Sequence, residues 1–561
     1  MIKENMNMKR FCALLLALAL CLSMMAVGGF AEEEQQKGLQ KFDHVVELHI
    51  AFYKDPMDSS LAQGEDMENN YYTRYLLENY NIKIVVDWSA SGDDFYQKLA
   101  LSIVLGDLPD AFITNHTYWK EAAESGLLMD ITDIFNEYAC EKIKNAYAVT
   151  DGKAAEACMV DGQMYGLANT VVQSDGILVG FIRQDWLDAV NLSAPTTLDE
   201  LETVAKAFKD AKLAGDKTIP ILGTGSGGSL YSNFSSSTNV WYGFDPIFAA
   251  YNAAPGYFIK KDGKVIYGTF TEETKQALTR LADWYKQGLI DIQLGTRSDS
   301  SIPMNANQAG MFTGPWWAVG YGNASSFYNS ADADWQSFVL NNEDGEWVVK
   351  TPDLYGASYL CINAEADEEA AIAAMITVNA MTMYETNMVA ETNTNINSWY
   401  PLRLVIDTPD IVEHEYAELQ KVLSGEADPE DYKDETTYVF MYGDAKAAKK
   451  VIKDYTPGEL LRRSNFEVST DSAEWQRLYS ILIGDRCLAT RTPDVSIDSV
   501  IYNHTSTTER YWDNLWNAEM ETVLKIVTGQ LDISALDELE TRWMREGGEQ
   551  ILNDLNKTYG D

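Results

Sequence analysis

Apolar strand-like runs alternate with helical stretches between positions 45 and 114, and this alternation constrains the fold more than any other feature. The strand-like runs occupy 45–52, 82–88 and 111–114, and the helical patterns occupy 71–80 and 95–105. The turn sequences Tyr-Lys-Asp-Pro and Gly-Asp-Leu-Pro follow the first strand and the second helix. A β-α-β-α-β order of this kind predicts an α/β layered domain with a mainly parallel sheet.

The first 31 residues have the pattern of a signal peptide. Basic residues precede an apolar run at 11–27, and the small residues Gly29 and Ala31 stand where signal peptidase requires them. The run is shorter than the ~20 residues that a membrane-spanning helix needs. The sequence therefore predicts export, with cleavage after Ala31. Lipid attachment at Cys21 is an alternative that is not favoured, because Leu20 is larger than the residue that usually precedes a lipidated cysteine.

The length and the charge of the chain narrow the class of protein. With 561 residues it exceeds what one hydrophobic core supports, so at least two lobes are expected. Beyond the leader, no apolar stretch is long enough to cross a bilayer. The formal net charge of −42 repels nucleic acid and anionic lipid, and we expect neither as a partner.

The cysteines and histidines give no sign of a metal site. Four cysteines follow the leader without the close pairs of a metal finger, and the five histidines are not paired at metal-ligand spacing. Buried free thiols are the expected state of the cysteines, with one disulfide as an open alternative. The four cysteines are Cys140, Cys158, Cys361 and Cys487.

Three further segments bear on local structure. Thr197 and Glu200, which follow Pro195, have capping-box spacing and predict the start of a helix. The loop 223–239 is rich in Gly and Ser but lacks the Lys-Ser/Thr ending of a phosphate-binding loop. The stretch 424–435 is acidic and rich in turn residues, which is typical of a solvated surface insertion.

Five segments, in order along the chain, resemble one protein family. They are 106–110, 161–167, 181–201, 309–317 and 526–559. The first two, Gly-Asp-Leu-Pro-Asp and Asp-Gly-Gln-Met-Tyr-Gly-Leu, resemble a turn and a hairpin of the family-1 extracellular solute-binding proteins of bacterial ABC importers. The next two resemble that family's strand with its following helices and its Gly-Pro-Trp turn. The last resembles the C-terminal helices of the aldouronate-type, oligosaccharide-binding subgroup.

The resemblance implies an α/β fold of the type II periplasmic-binding-protein kind, similar to maltose-binding protein, in which two lobes close on a ligand. Each lobe would hold a mainly parallel sheet flanked by helices, with extra helices at the C-terminus. The N-terminal lobe would comprise 40–170 and 305–355, and the C-terminal lobe 171–304 and 356–561. The hinge segments would lie at 170–174, 302–307 and 354–358.

The resemblance also implies a function. Proteins of this family capture a carbohydrate at the bacterial cell surface and deliver it to the membrane permease of an ABC transporter. We therefore expect an extracellular monomer that binds an oligosaccharide and has no cofactor, no metal and no catalytic residue. A peptide or another polar solute is an alternative ligand in the same fold. The identity of the sugar is left open, and no cluster of arginines requires an anionic one.

A secreted carbohydrate-active enzyme is the alternative class. Hydrolysis of a glycosidic bond needs two carboxylates at a set separation, and with 85 Asp and Glu residues some such pair is always present. The chain has no Gly-x-Ser-x-Gly elbow, no His-Glu-x-x-His motif and no EF-hand loop. A binding protein without turnover is therefore the favoured hypothesis.

Aromatic rings pack on the C–H face of a sugar ring, and five aromatic residues at loop positions are candidates for this role. The family resemblance carries sugar stacking over to Trp316, which follows Gly-Pro, and places a second platform at Trp241 and Tyr242. Trp317 points away from Trp316 if the segment is extended, so one of the two can face a cleft. Trp399 lies in a polar run and is the last candidate. Packing in a core is the alternative role for all five.

Polar side chains at strand ends are candidates for binding the sugar hydroxyls. Ligands of open α/β sheets lie beyond the carboxyl ends of the strands, where five of these candidates fall. Two more fall at the first crossover that the resemblance implies, and turn formation is the alternative role for each. The candidates are Tyr53, Lys54 and Asp55 after the first strand, Asn115 and His116 after the third, and Gln173 and Asp175 at the crossover.

Overall fold

The structure is a computed structural model that describes residues 37–54, 61–235, 241–392, 398–435 and 437–560. The predicted signal peptide, including Cys21, and the candidate Asp55 lie outside these residues. The strands within the described ranges are β1 Val46–Tyr53, β2 Ile82–Ala90, β3 Ala111–Thr114, β4 Met159–Val160, β5 Gln163–Met164, β6 Leu167–Thr170, β7 Val179–Arg183, β8 Leu213–Asp216, β9 Ile219–Ile221, β10 Phe258–Lys261, β11 Lys264–Tyr267, β12 Ala309–Gly314, β13 Trp335–Phe338, β14 Val348–Lys350, β15 Tyr355–Ile362 and β16 Val495–Ile497.

The α-helices in the same ranges are α1 Tyr71–Tyr80, α2 Gly92–Leu105, α3 His116–Glu124, α4 Thr132–Tyr138, α5 Glu141–Val149, α6 Lys153–Glu156, α7 Gln184–Val190, α8 Leu198–Ala211, α9 Asp245–Ala249, α10 Glu272–Lys286, α11 Ser301–Asn305, α12 Ala324–Asn329, α13 Glu368–Thr392, α14 Ile411–Ser424, α15 Met441–Val451, α16 Glu474–Tyr479, α17 Arg486–Thr490, α18 Ser506–Val527, α19 Ala535–Trp543 and α20 Glu549–Tyr559. Searched over the described residues, none of these helices has an apolar stretch of the length needed to cross a membrane. Most residues of the acidic stretch 424–435 are exposed, as expected.

The chain forms two compact units and passes between them three times. Unit 1 contains the described residues up to Val171 together with Leu354–Pro409. Unit 2 contains Val172–Asp353 and Asp410–Asp561. The first and last of the expected hinge segments lie at two of these crossings, near Val172 and Leu354, and the crossing after Pro409 is an additional one.

This division corrects the expected lobe boundaries in two places. Strands β12 and β13 pair with β7, so the segment 305–353 belongs to unit 2 and not to the first lobe. Strand β15 pairs with β3 and β6, so the segment 356–409 belongs to unit 1 and not to the second lobe. The expected hinge at 302–307 overlaps α11 and lies within unit 2.

Unit 1 is built on five strands in the order β2-β1-β3-β15-β6. Strand β1 runs parallel to both of its neighbours β2 and β3, which confirms the β-α-β-α-β prediction for this part of the chain. Strand β15 runs antiparallel to β3 and β6. Leu48, Ile50 and Phe52 of β1 are buried in a core that also includes residues of α1 and α13.

Unit 2 is built on a four-stranded sheet in the order β13-β7-β12-β9. Strand β12 is antiparallel to β7 and parallel to β9, so this sheet is mixed and not mainly parallel. All residues of β7 and β12 are buried because both faces are covered. Phe181 and Phe312 pack in one core with residues of α14–α16, and Ile182 and Met311 pack in another core with residues of α8 and α10.

Helix α8 begins where the capping pattern predicts. The hydroxyl of Thr197 accepts a hydrogen bond from the Glu200 N–H at 3.3 Å. The Glu200 carboxylate accepts one from the Thr196 N–H at 2.8 Å, one residue earlier than in a standard capping box. Leu201 and Phe208 then form part of the buried face of the helix.

The four cysteines that follow the leader are free thiols in the structure. Cys140, Cys158 and Cys361 are buried, and Cys487 is partly buried. Burial raises the pKa of Cys140 to about 11 and that of Cys158 to about 12. Because the thiolate is the reactive form, these two buried thiols are inert at neutral pH.

Candidate functional site

Strand β12 leads directly into the aromatic residues that the sequence singles out. After Gly314 and Pro315 the chain forms a short 3₁₀ turn, Trp316–Val319. Trp316 is only 6 % exposed and packs in the core of unit 2, whereas Trp317 is partly exposed. A β-carbon on Gly484 would lie 2.0 Å from the Trp316 carbonyl oxygen, so glycine is what allows the segment 480–484 to approach this turn closely.

Asp175 holds Trp316 through its carboxylate. It lies in the 3₁₀ turn Gln173–Gly176, and its Oδ1 accepts a hydrogen bond from the Trp316 Nε1–H at 2.9 Å. Burial raises the pKa of Asp175, and hydrogen bonding to the indoles of Trp316 and Trp317 offsets part of this rise. Three sequence candidates, Asp175 and the distant Trp316 and Trp317, therefore meet in unit 2.

Trp241 and Trp317 form an aromatic pair with partly exposed rings. The ring centroids lie 5.0 Å apart and the ring planes make an angle of 67°, an edge-to-face arrangement. A β-carbon on Gly322 would lie 2.1 Å from the Trp241 ring, so this ring rests directly on the backbone of Gly322. Tyr242 is only 7 % exposed and contributes to the core beneath the pair. We refer to Trp241 and Trp317 as the aromatic pair.

Three carboxyl groups lie together behind Trp316, and we refer to Asp175, Glu413 and Asp485 as the acidic layer. Glu413 on α14 accepts a hydrogen bond from the Ser174 hydroxyl at 2.9 Å. Asp485 is fully buried, and neither of its carboxyl oxygens has a hydrogen-bond partner within normal distance. Burial, together with the nearby Glu413 and Asp175, raises the pKa of Asp485 well above its usual value.

Arg477 is paired with two carboxylates, one of which, Glu415, also acts electrostatically on Asp485. Nε of Arg477 on α16 donates to Asp444 at 2.8 Å, and its Nη2 donates to Glu415 at 2.6 Å. Burial raises the pKa of Glu415, and the charge of Arg477 lowers it. Tyr321, whose N–H donates to the carbonyl of Trp317, is 42 % exposed. Burial raises the pKa of Tyr321, and the charge of Arg477 offsets part of the rise. Within the described residues, no group of three or more His, Cys, Asp or Glu side chains is arranged to hold a metal ion.

Unit 1 carries the candidates at the ends of its strands. Tyr53 is the last residue of β1, is 41 % exposed and contacts Phe95 edge-to-face at 5.4 Å. Asn115 and His116 follow β3, the parallel neighbour of β1, so the three residues lie at the same edge of the sheet. The Asn115 side chain caps α3, and burial lowers the pKa of His116, whose ring centroid lies 5.5 Å from that of Trp119.

The remaining candidates have different surroundings. Trp399 is 7 % exposed and packs in the core of unit 1, with its ring centroid 6.1 Å from that of Phe52. Lys54 is exposed, and its N–H donates to the carbonyl of Ala90 in β2. Gln173 is partly buried in the same 3₁₀ turn as Asp175.

Sequence reasoning missed four residues of the unit 2 site: Glu413, Asp485, Arg477 and Tyr321. Three of them are charged residues on helices or at helix ends, where charged residues normally face solvent. No local motif distinguishes them from the other charged residues of this chain. The fourth is one of 31 tyrosines, and only its position after the 3₁₀ turn of Trp316 could have indicated it.

The two α/β units and their sheets define a type II periplasmic-binding-protein fold. Solved structures with similar folds are an HMO-binding solute-binding protein from Bifidobacterium longum infantis, 15% identical, and the alginate-binding protein AlgQ2, 16% identical. Their TM-scores are 0.54 and 0.51, and the matches cover 92% of this chain and 99% and 98% of theirs. A model of the family of bacterial extracellular solute-binding proteins matches residues 59–379, and the chain belongs to this family.

Three curated relatives resemble parts of the chain. The fructooligosaccharide ABC transporter substrate-binding protein FusA of Streptococcus pneumoniae is 26% identical over 42% of this chain and 42% of its own length. The polygalacturonan/rhamnogalacturonan-binding protein YtcQ of Bacillus subtilis is 25% identical over 39% and 41%. Lipoprotein LipO of Bacillus subtilis is 24% identical over 49% and 50%. The matches thus span half or less of the length of these relatives.

Proposed function

We propose that this chain binds an oligosaccharide outside the cell and delivers it to the membrane permease of an ABC importer, without chemical turnover. The observation that carries the proposal is the partly exposed aromatic pair beside the carboxyl of Asp175. An indole face matches the apolar C–H face of a sugar ring. A carboxylate accepts several hydrogen bonds and so suits neighbouring hydroxyl groups on the rim of that ring.

The names of the relatives support the same class of ligand. FusA is named for fructooligosaccharides and YtcQ for polygalacturonan and rhamnogalacturonan, and FusA is described as an ABC transporter substrate-binding protein. Both names refer to polymers or oligomers of sugars, which favours an oligosaccharide over a peptide for this chain. In unit 1, we propose Tyr53, Asn115 and His116 as further sugar contacts, because they lie at the end of β1 or directly after its parallel neighbour β3.

We infer that the protein is exported as a monomer and that its leader is removed after Ala31. The relative LipO is named as a lipoprotein, which keeps attachment at Cys21 as the alternative form of processing. The mass of the mature protein from its native host distinguishes the two. A chain that begins at Glu32 supports simple cleavage, and a diacylglycerol group on Cys21 contradicts it.

The binding proposal is tested by a glycan array followed by calorimetry on the sugars that bind. A sugar that binds the native state should raise the melting temperature of the protein. The variants Trp241→Ala and Trp317→Ala should each weaken binding by at least tenfold, about 1.4 kcal/mol. Tyr559→Ala is the matched control, since Tyr559 is another exposed aromatic residue of unit 2 outside the aromatic pair.

Three outcomes contradict the proposal. Chemical change of the sugar during incubation with pure protein indicates an enzyme. Binding of peptides in place of sugars indicates the alternative ligand class. Unchanged affinity in both tryptophan variants means that the ligand binds elsewhere in the protein.

A further inference from the structure

The exposed aromatic surface of unit 2 continues beyond the aromatic pair. One turn further along the chain, the N–H of Tyr321 donates to the carbonyl of Trp317 at 3.1 Å. Side chains four positions apart in a turn of this kind leave the backbone on the same side. Trp317 is partly exposed and Tyr321 is 42 % exposed, so a ligand that contacts the first ring has the second one within reach.

Tyr321 lies next to Arg477 of α16. A β-carbon on Gly320 would lie 2.2 Å from the carbonyl oxygen of Gln476, so the backbone before Tyr321 passes directly against the backbone before Arg477. The positive charge of Arg477 also acts on the Tyr321 hydroxyl, where it offsets part of the rise in pKa that burial causes. These two observations place the guanidinium beside the Tyr321 side chain.

Phe440 is a further exposed ring beside the same guanidinium. It precedes the first residue of α15, is 40 % exposed, and its ring centroid lies 4.8 Å from Cζ of Arg477. A guanidinium within about 6 Å of a ring centroid is attracted by the ring. Arg477 therefore connects two exposed aromatic residues, Tyr321 and Phe440, that are 119 positions apart in the chain.

Arg477 keeps hydrogen-bond donors that a ligand can use. A guanidinium has five N–H donors in a fixed plane. The bonds to Asp444 and Glu415 use the one on Nε and one of the two on Nη2. The Arg477 side chain is 27 % exposed, so donors of this group can meet a ligand oxygen from the solvent side.

We propose that Tyr321, Phe440 and Arg477 form a second sugar site next to the one at the aromatic pair. The two rings offer apolar faces for the C–H groups of a sugar, and the guanidinium donates to its hydroxyl oxygens. Because Tyr321 follows Trp317 by one turn, about 5.4 Å along a helix, two linked sugar units can occupy both sites at once. This inference rests on the proposed function and narrows the ligand to a chain of at least two sugar units.

A series of ligands of increasing chain length tests the second site on the wild-type protein. The series are fructooligosaccharides, oligogalacturonides and the sugar class that binds best on the glycan array, each from the monosaccharide to the pentasaccharide. In the series that binds, affinity should rise at least tenfold between the monosaccharide and the trisaccharide, because a second unit binds as part of a molecule that is already held. Calorimetry measures the tight members and NMR titration the weak ones.

Phe440→Ala assigns the gain to the second site. The variant should bind the trisaccharide at least fivefold more weakly than the wild type and the monosaccharide with less than twofold change, because the aromatic pair alone holds a single unit. Trp317→Ala should weaken the binding of both. Tyr559→Ala is the matched control, since Tyr559 is a similarly exposed aromatic residue on the C-terminal helix α20 and its loss should change neither affinity.

The outcomes separate this inference from the proposed function. A monosaccharide that binds as tightly as the trisaccharide overturns the inference and leaves carbohydrate binding in place, and this measurement does not depend on the folding of any variant. A Phe440→Ala protein that keeps the full gain with chain length overturns it as well, because the gain then arises elsewhere. Failure of every series to bind overturns the proposed function, and the inference with it.

Discussion

The indole N–H of Trp316 donates a hydrogen bond to Oδ1 of Asp175 over 2.9 Å, although the two residues are 141 positions apart in the chain. This bond joins the 3₁₀ turn that follows β12 to the 3₁₀ turn that precedes β7. It fixes the ring of Trp316 within the core of unit 2 and leaves its neighbour Trp317 partly exposed. The geometry therefore favours a structural role for Trp316 and a contact role for Trp317.

Trp316→Ala should lower the free energy of unfolding by about 3–5 kcal/mol, as is usual when a buried aromatic side chain is truncated. Trp317→Ala should cost less stability because the Trp317 ring is partly exposed, but it should weaken sugar binding. Urea unfolding and calorimetry on the same two variants measure both quantities. Stacking of sugar on Trp316, which the sequence predicts, gives the opposite result for Trp316→Ala: a large loss of affinity at almost unchanged stability.

The order of elements from β1 to β3 could be predicted from the sequence because turn residues separate segments of different periodicity. The unit to which β12 and β13 belong could not be predicted, because strand pairing between distant segments leaves no local signal in the sequence. Strand β15 was assigned to the wrong lobe for the same reason, because it pairs with β3 and β6 from a distant part of the chain.

The candidate site was predicted in part. The tryptophans of 316–317 and the acidic residue Asp175 were identified from a family pattern and from their position at a crossover. The roles of the two tryptophans could not be assigned from the sequence, because side chains alternate only in an extended segment and this segment is a 3₁₀ turn. Glu413 and Asp485 were missed because helices brought together by tertiary packing place them there, and the sequence offers 85 acidic residues to choose from.

Arg477 should be essential for the packing of α14–α16. Arg477→Met leaves Glu415 and Asp444 without their counter-charge, and breaking a buried pair in this way costs about 3–5 kcal/mol. Chemical denaturation measures the loss. The triple variant Arg477→Met, Glu415→Gln, Asp444→Asn removes all three charges and should recover most of the stability. A triple variant no more stable than the single variant would show that packing of the arginine, and not its charge, is what matters.

Removing the N-cap hydroxyl of α8 should lower the free energy of unfolding by a smaller amount. Thr197→Ala removes the acceptor for the Glu200 N–H and should cost about 1 kcal/mol. Thr197→Ser keeps a hydroxyl and should stay within a few tenths of a kcal/mol of the wild type. Thermal unfolding of both variants compares them directly. Equal losses in both would assign the effect to the lost methyl group.

Glu519 on α18 links stability to pH. Its fully buried carboxyl accepts hydrogen bonds from Tyr231 at 2.7 Å, from Thr269 at 2.8 Å and from Tyr267 at 2.9 Å. Burial raises its pKa from 4.5 to about 7, although these hydrogen bonds and the positive charge of Lys350 oppose the rise. The folded protein therefore binds this proton more tightly than the unfolded chain does.

Because the folded protein binds the Glu519 proton more tightly than the unfolded chain does, this residue makes stability fall as the pH rises. Stability contributed by Glu519 is fully present below the unfolded pKa of 4.5 and is lost as the pH rises through the folded pKa of about 7. At about 1.4 kcal/mol per pKa unit, the loss amounts to about 3 kcal/mol. Glu519→Gln cannot titrate, so the difference in unfolding free energy between wild type and variant should shift by this amount between pH 4.5 and pH 7, in favour of the variant at the higher pH. Urea unfolding at a series of pH values measures it, and parallel pH profiles for the two proteins would show that Glu519 has an ordinary pKa in the folded state.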